Sequence, residues 1–409
     1  RQHSPHCASA THHARYRLAA PRPFAGPACR EIGAMNPRVL DAAEALQKLQ
    51  SFSAVIDVRS PSEFAIDHMP GAQNWPVLDD AERAEVGTLY AQVDPFVANK
   101  RGAALIARNI ANHIEAHADE LPKSWAPLVY CWRGGNRSGA MAHILARIGF
   151  SVVLVQGGYR SLRRALRADL EQRSGQLQFH VICGRTGCGK SRLLQSLREI
   201  GAQVLDLEAL AQHRGSVLGL EPGETQPSQK LFETRVWADL RRFDPNHPVF
   251  VEAESKKIGA LHVPDTLMEQ MRQGHCITLE LETDLRVALL LADYAQLSAD
   301  RPLLLQRLAS LRALRGAETV ERWQELITQG ELATFTADIL QHHYDPSYTR
   351  SMSNHFRAFD AAPVVALKGI DTESFRNAAL KVVGLSTAEI RSESHATASV
   401  QAQAEAVNG

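Results

Sequence analysis

The sequence predicts an α/β protein: an N-terminal parallel-sheet unit, then a second α/β unit with a helical C-terminal part. Three observations carry this. Apolar strand-like runs alternate with helical patterns from about residue 42 to 155, and again from 178 to 281, as βαβ connections require. One run ends at Cys131 in a glycine-rich turn and another in Gly-x4-Gly-Lys-Ser, and loops at the carboxyl ends of strands are where parallel sheets place their chemistry. From residue 284 to 344 the apolar period becomes helical, with stripes such as Leu304, Leu308 and Leu311, which read as core.

A chain of 409 residues is long enough for two or three domains with their own cores. Its 45 basic and 45 acidic residues balance, so a polyanionic partner must be met by a local patch. Six scattered cysteines, with no Cys-x-x-Cys pair, argue against a disulfide framework. They point to a reducing compartment, and the expected location is cytoplasmic. No apolar run reaches the ~18 residues of a membrane span.

Residues 1–34 are rich in Ala, Arg, His and Pro, with no acidic residue before Glu31. A transit-type peptide and a start assigned too far upstream of Met35 both fit. The lack of an amphipathic face favours the second, and disorder is expected either way. The expected division is therefore 1–34 disordered, 35–173 first domain with an Arg-rich linker helix, 174–385 second domain and 386–409 disordered tail.

In the first domain, 42–50 reads as a short helix and 54–59 as a buried strand. Ser60, Pro61 and Glu63 form a capping box with proline at the first helical position. A turn at 68–74 leads into another strand, and a long helix fits 102–118. The strand 128–130 then runs into Cys131, followed by a helix at 138–148 and a strand at 152–155. Arg133 and Arg137 flank the Cys131 turn, and the helix aims its first N–H groups back toward the sulfur. These donors and charges favour an anion and should pull the thiol down from about 8.5.

Asp57-Val58-Arg59-Ser60 with Glu63-Phe64, then His68-Met69-Pro70-Gly71-Ala72-Gln73-Asn74, Cys131 and Gln156-Gly157-Gly158-Tyr159 together resemble a rhodanese domain over residues 40–170. The resemblance implies that Cys131 carries a chalcogen. One departure is the Cys-x5-Arg spacing to Arg137, a loop one residue longer than in many sulfurtransferases and of the length that wraps phosphate in cysteine phosphatases. No general acid for such a phosphatase is identifiable.

In the second domain, the strand 178–183 runs into Gly184-Arg185-Thr186-Gly187-Cys188-Gly189-Lys190-Ser191 and then a helix, the strand–loop–helix context that a P-loop needs. Gly184, Gly187 and Gly189 let backbone N–H groups surround a diphosphate, Lys190 adds a charge, and Ser191 is a Mg²⁺ ligand candidate. Strands at 203–205 and 249–251 end in carboxylates, and Glu252 and Glu254 are the candidates to hold that ion with Ser191. Cys188 reads as a small filler. The adjacent His342 and His343 face different ways on a helix and make no metal site alone. Between the domains, Arg160, Arg163, Arg164 and Arg167 recur at helical spacing. The default is a solvated linker helix; the alternative is a basic stripe for an RNA backbone.

The pairing of these two domains, with Tyr130-Cys131-Trp132-Arg133-Gly134-Gly135, Asp206-Leu207-Glu208 through Ser216 and Val251-Glu252-Ala253-Glu254-Ser255-Lys256-Lys257, closely resembles the bacterial tRNA 2-selenouridine synthases over residues 38–385. That resemblance implies a transferase that replaces the sulfur of wobble 2-thiouridine in tRNAs for Lys, Glu and Gln with selenium. The implied co-substrates are selenophosphate, delivered by a selenophosphate-supplying enzyme, and geranyl diphosphate, with S-geranyl-2-thiouridine as intermediate. Cys131 would carry selenium as a selenyl-sulfide, with Arg133 and Arg137 orienting selenophosphate or tRNA. The alternative is a P-loop kinase or ATPase, with ATP bound, carrying an accessory sulfurtransferase or phosphatase domain.

Overall fold

The computed structural model describes residues 36–213, 225–356 and 358–386. The expected disorder of 1–34 and of the tail lies outside these residues. The exception is Ser386, which is buried at the end of a helix over 372–386. The last residues of the stretch from Asp206 to Ser216 also lie outside them.

Two parallel five-stranded sheets form the framework. The first is built from β1 (Arg38–Leu40), β2 (Ala54–Asp57), β3 (Ala72–Asn74), β4 (Pro127–Tyr130) and β5 (Val153–Val155), in the order β1-β5-β4-β2-β3. The second contains β6 (Phe179–Cys183), β7 (Gln203–Leu205) and β8 (Val249–Glu252). The hairpin of β9 (Lys257–Ile258) and β10 (Leu261–His262) follows β8, and β11 (His275–Glu280) and β12 (Val364–Ala366) complete the sheet in the order β12-β11-β6-β8-β7. β4 and β6 are buried at every residue, as strands covered on both faces must be. Each therefore delivers its loop, Cys131 or the P-loop, from a rigid centre.

Several helices depart from expectation. The long helix is Pro95–His117, starting earlier because the Asp94 carboxylate accepts the N–H groups of Phe96 at 2.8 Å and Val97 at 2.9 Å. A second helix, Asp80–Gln92, precedes it. The Arg-rich helix, Gly158–Ser174, is not a solvated linker. Its Leu162, Leu166 and Leu170 belong to one buried cluster with Val153 of the first sheet and Val181, Phe232 and Trp237 of the second unit. The helix Gln229–Leu240 packs along it, and Trp237 donates its indole N–H to Asp169 at 2.8 Å. The two sheets thus share a core. Among the described residues no helix is long and apolar enough to cross a membrane.

Candidate active site

Cys131 leaves β4 and is buried, and the following helix, Asn136–Ile148, begins with its N-terminus at the sulfur. Ser138 donates its hydroxyl to the sulfur at 3.1 Å. Burial pushes the thiol pKa up, but this hydrogen bond, the N–H groups of Ser138 and Gly135 and the charge of Arg137 outweigh it, and the net result lies below the ordinary thiol value. The downward shift expected for Cys131 is thus supplied mainly through Ser138, a residue whose part the sequence did not single out. Of the two flanking arginines, Arg133 is exposed on the rim. Arg137 donates to Glu63 at 2.9 Å. Glu63 also accepts the Ser60 N–H at 3.3 Å, so the expected capping box doubles as the anchor of Arg137.

The P-loop glycines are needed where they stand. Gly184, Gly187 and Gly189 all have positive φ. A Cβ on Gly187 would lie 2.7 Å from the Leu290 side chain, and one on Gly189 2.6 Å from the Phe375 ring. The helix Lys190–Glu199 opens directly on the loop. Lys190 donates to the Gly184 carbonyl at 2.9 Å, and the Gly184 N–H donates to the Tyr348 hydroxyl at 2.5 Å. Arg286 braces the loop by donating to the Thr186 carbonyl at 2.7 Å while paired with Asp345 at 2.6 Å.

Opposite Lys190, one ligand oxygen each from Glu208, Glu252 and Glu254 lie within 4.8 Å of one another. Burial raises all three carboxyl pKa values; repulsion from neighbouring carboxylates adds to it at Glu252 and at Glu208, which is carried to about 8, whereas Glu254 is raised by burial alone. Glu252 Oε2 is buried without a hydrogen-bond partner. Ser191 donates to Glu208 at 3.3 Å. Three crowded acids, an orphaned carboxylate oxygen and a hydroxyl fit a hard divalent cation. The predicted Ser191, Glu252 and Glu254 thus converge, and Glu208 joins them. Its place was hidden because the chain turns into a short helix, Leu207–Ala211, immediately before it.

This loop borders a cavity of about 350 Å³. A second, apolar cavity adjoins it, lined by residues including Leu304, Leu332, Phe335 and Ile339; Thr186, Leu290, Tyr294 and Tyr344 line both. Elsewhere, Cys188 is buried, and His343 accepts from Arg315 at 2.7 Å. The arginine stripe divides: Arg160, Arg164 and Arg167 are exposed, whereas Arg163 turns inward to pair with Glu233.

A buried cysteine at a helix N-terminus on one parallel sheet, joined to a P-loop with an acidic cluster on another, defines a rhodanese-like unit fused to a P-loop α/β unit. The model of the rhodanese-like domain matches residues 41–165, and that of the tRNA 2-selenouridine synthase AAA domain matches residues 177–305. The tRNA 2-selenouridine synthase of Alcanivorax borkumensis is 35% identical over 260 residues, which is 62% of this chain and 70% of that protein. The one from Nitrosomonas europaea is 36% identical over 244 residues, 59% of this chain and 63% of that protein. A solved rhodanese-related protein from Thermoplasma volcanium is 20% identical over 31% of this chain and 91% of its own, with a TM-score of 0.21. The chain belongs to the tRNA 2-selenouridine synthase family. It spans 63% and 65% of the length of the relatives from Nitrosomonas europaea and Marinobacter nauticus.

Proposed function

We propose that the chain is a transferase that replaces the sulfur of wobble 2-thiouridine with selenium, using geranyl diphosphate and selenophosphate. The observation that carries this reading is the apolar cavity of about 70 Å³ that adjoins the P-loop cavity and shares Thr186, Leu290, Tyr294 and Tyr344 with it. A ligand filling both has a diphosphate head and a hydrocarbon tail.

In the first step the thiouridine sulfur bonds to the allylic carbon, and the carbon–oxygen bond to diphosphate breaks. The P-loop N–H groups and Lys190 stabilise the departing charge. A cation held by Ser191, Glu208, Glu252 and Glu254 would supply further neutralisation of the diphosphate. In the second step selenium from selenophosphate bonds to C2 of the base and geranylthiol leaves, the phosphoryl group passing to water. Cys131 is the chain's own group for handling that selenium, and its N–H donors favour an anion beside it. Arg160, Arg164 and Arg167 are proposed to meet the tRNA backbone, with Arg133 at the mouth of the Cys131 site. The substrates are the tRNAs for Lys, Glu and Gln, and the place of action is the cytoplasm.

Calorimetric titration tests the carrying observation. Geranyl diphosphate should bind the wild type at least about tenfold tighter than inorganic diphosphate, because buried CH₂ groups contribute ~0.8 kcal/mol each. ATP that binds and turns over, with no advantage for the geranyl chain, would favour the kinase reading instead.

A further inference from the structure

Asp67 is fully buried between the two units, and its carboxylate is shared by them. One oxygen accepts the Tyr159 hydroxyl at 2.7 Å, and the other accepts the Thr234 hydroxyl at 2.8 Å. Tyr159 follows the first sheet, whereas Thr234 lies on the helix Gln229–Leu240 of the P-loop unit. Arg163 donates to the Thr234 hydroxyl at 3.0 Å and to the Lys230 carbonyl at 3.1 Å, and stands 3.7 Å from the Asp67 carboxylate. Arg59 donates to the Asp67 carbonyl at 2.6 Å. One residue before Asp67, the Ile66 carbonyl accepts the Ser228 hydroxyl.

Tyr159 passes this arrangement to the cysteine loop. Its N–H donates to the Cys131 carbonyl at 2.8 Å, and its ring stacks on Trp132 with centroids 5.3 Å apart. The neighbouring backbone is in close contact. A Cβ on Gly158 would lie 2.2 Å from the Cys131 carbonyl oxygen and 2.4 Å from the Gly134 nitrogen. With so little space, a displacement of residues 158–160 must displace Cys131–Gly134 as well.

We infer that Thr234 is a positioning residue for Cys131: the P-loop unit, through Thr234, Asp67 and Tyr159, holds the cysteine loop in the geometry that aims its donors at the sulfur. This rests on Cys131 being the working thiol, but its test needs neither tRNA nor selenium, so it can fail while the proposed reaction stands. Thr234 does not touch the sulfur. The groups that do act on it are Ser138, the Gly135 N–H and Arg137, the last held by Glu63. The Asp57–Arg59 pair lies at the end of the neighbouring strand.

The test follows Cys131 alkylation by iodoacetamide from pH 5.5 to 9.5 in the full chain, resolved by peptide mass spectrometry. Thr234→Val keeps the side-chain shape and removes both hydrogen bonds. It should move the alkylation midpoint upward and lower the rate at pH 7 about fivefold, the size of one ordinary hydrogen bond. Thr234→Ser, which keeps the hydroxyl, should restore the wild-type profile. Asp67→Asn should shift the midpoint in the same direction as Thr234→Val, and it decides the matter should the valine variant not fold. A wild-type profile in both variants overturns the inference. So does alkylation of Cys183, Cys188 and Cys276 rising in step, which would mean general loosening.

Discussion

The acidic cluster beside the P-loop makes a prediction whose sign is set by its pKa values. Glu208 is carried from 4.5 to about 8, by burial first and then by the charge of Glu254. Below pH ~4.5 the folded and unfolded chains both hold this proton. Between there and pH ~8 the folded chain holds more protons than the unfolded one, so stability falls as pH rises through that window. Each pH unit is worth about 1.4 kcal/mol for one fully displaced proton. From pH 6 to 8 the loss is on the order of 2 kcal/mol, shared among three coupled carboxylates, or a melting temperature lower by about 5 °C. A divalent cation binds the ionised form and should recover most of that loss at pH 8 and little of it at pH 6. Thermal melts in EDTA and in millimolar Mg²⁺, for the wild type and Glu208→Gln, provide the comparison. Glu208→Gln should flatten the EDTA pH dependence and reduce the Mg²⁺ response. Wild-type melts that are flat from pH 6 to 8 in EDTA, or a full Mg²⁺ response in Glu208→Gln, would refute the reasoning.

Further outcomes follow from the same geometry. Ser138→Ala should raise the Cys131 thiol pKa by about one unit, since a hydrogen bond to a charged group is worth ~1.5–3 kcal/mol; the alkylation profile reads it directly. Phe335→Trp should fill the apolar cavity and weaken geranyl diphosphate about tenfold while leaving inorganic diphosphate binding unchanged, as measured by calorimetry. Charge reversal at Arg160, Arg164 and Arg167 should weaken tRNA binding and lower its salt slope by up to ~3. Arg163→Glu should instead lower the melting temperature, because it places a third carboxylate beside Glu233 and Asp67. Filter binding and thermal melts separate the two effects.

The two sheets and their loops were legible because central strands advertise themselves: β4 and β6 are apolar runs that end in unusual glycine-rich turns. The P-loop carboxylates were only partly legible. Glu252 ends a strand in plain view, whereas Glu208 reaches the site by a turn of helix that no local pattern announces. The helix Asp80–Gln92 buries no residue, so it offers no apolar stripe to read. Gln229–Leu240 hides for a different reason: its buried Phe232, Thr234, Val236, Trp237 and Leu240 are interleaved with Glu233, Arg235 and Asp239, so no clean apolar stripe marks its period. Arg163 shows the limit most clearly. Its spacing places it in a basic stripe, but whether it meets solvent or Glu233 depends on a residue 70 positions away, and pairings at that separation are not written in local sequence.

The central claim is that one tRNA base is processed by two chemically distinct sites, a diphosphate site around Lys190 and a chalcogen site at Cys131. Mass spectrometry of nucleosides tests it most directly, using thiolated tRNA incubated with the full chain, geranyl diphosphate and selenophosphate. The wild type should yield 2-selenouridine, Cys131→Ala should stop at S-geranyl-2-thiouridine, and Lys190→Ala should leave 2-thiouridine unchanged. Wild-type amounts of 2-selenouridine from Cys131→Ala, or geranylation by Lys190→Ala at the wild-type rate, would contradict the account.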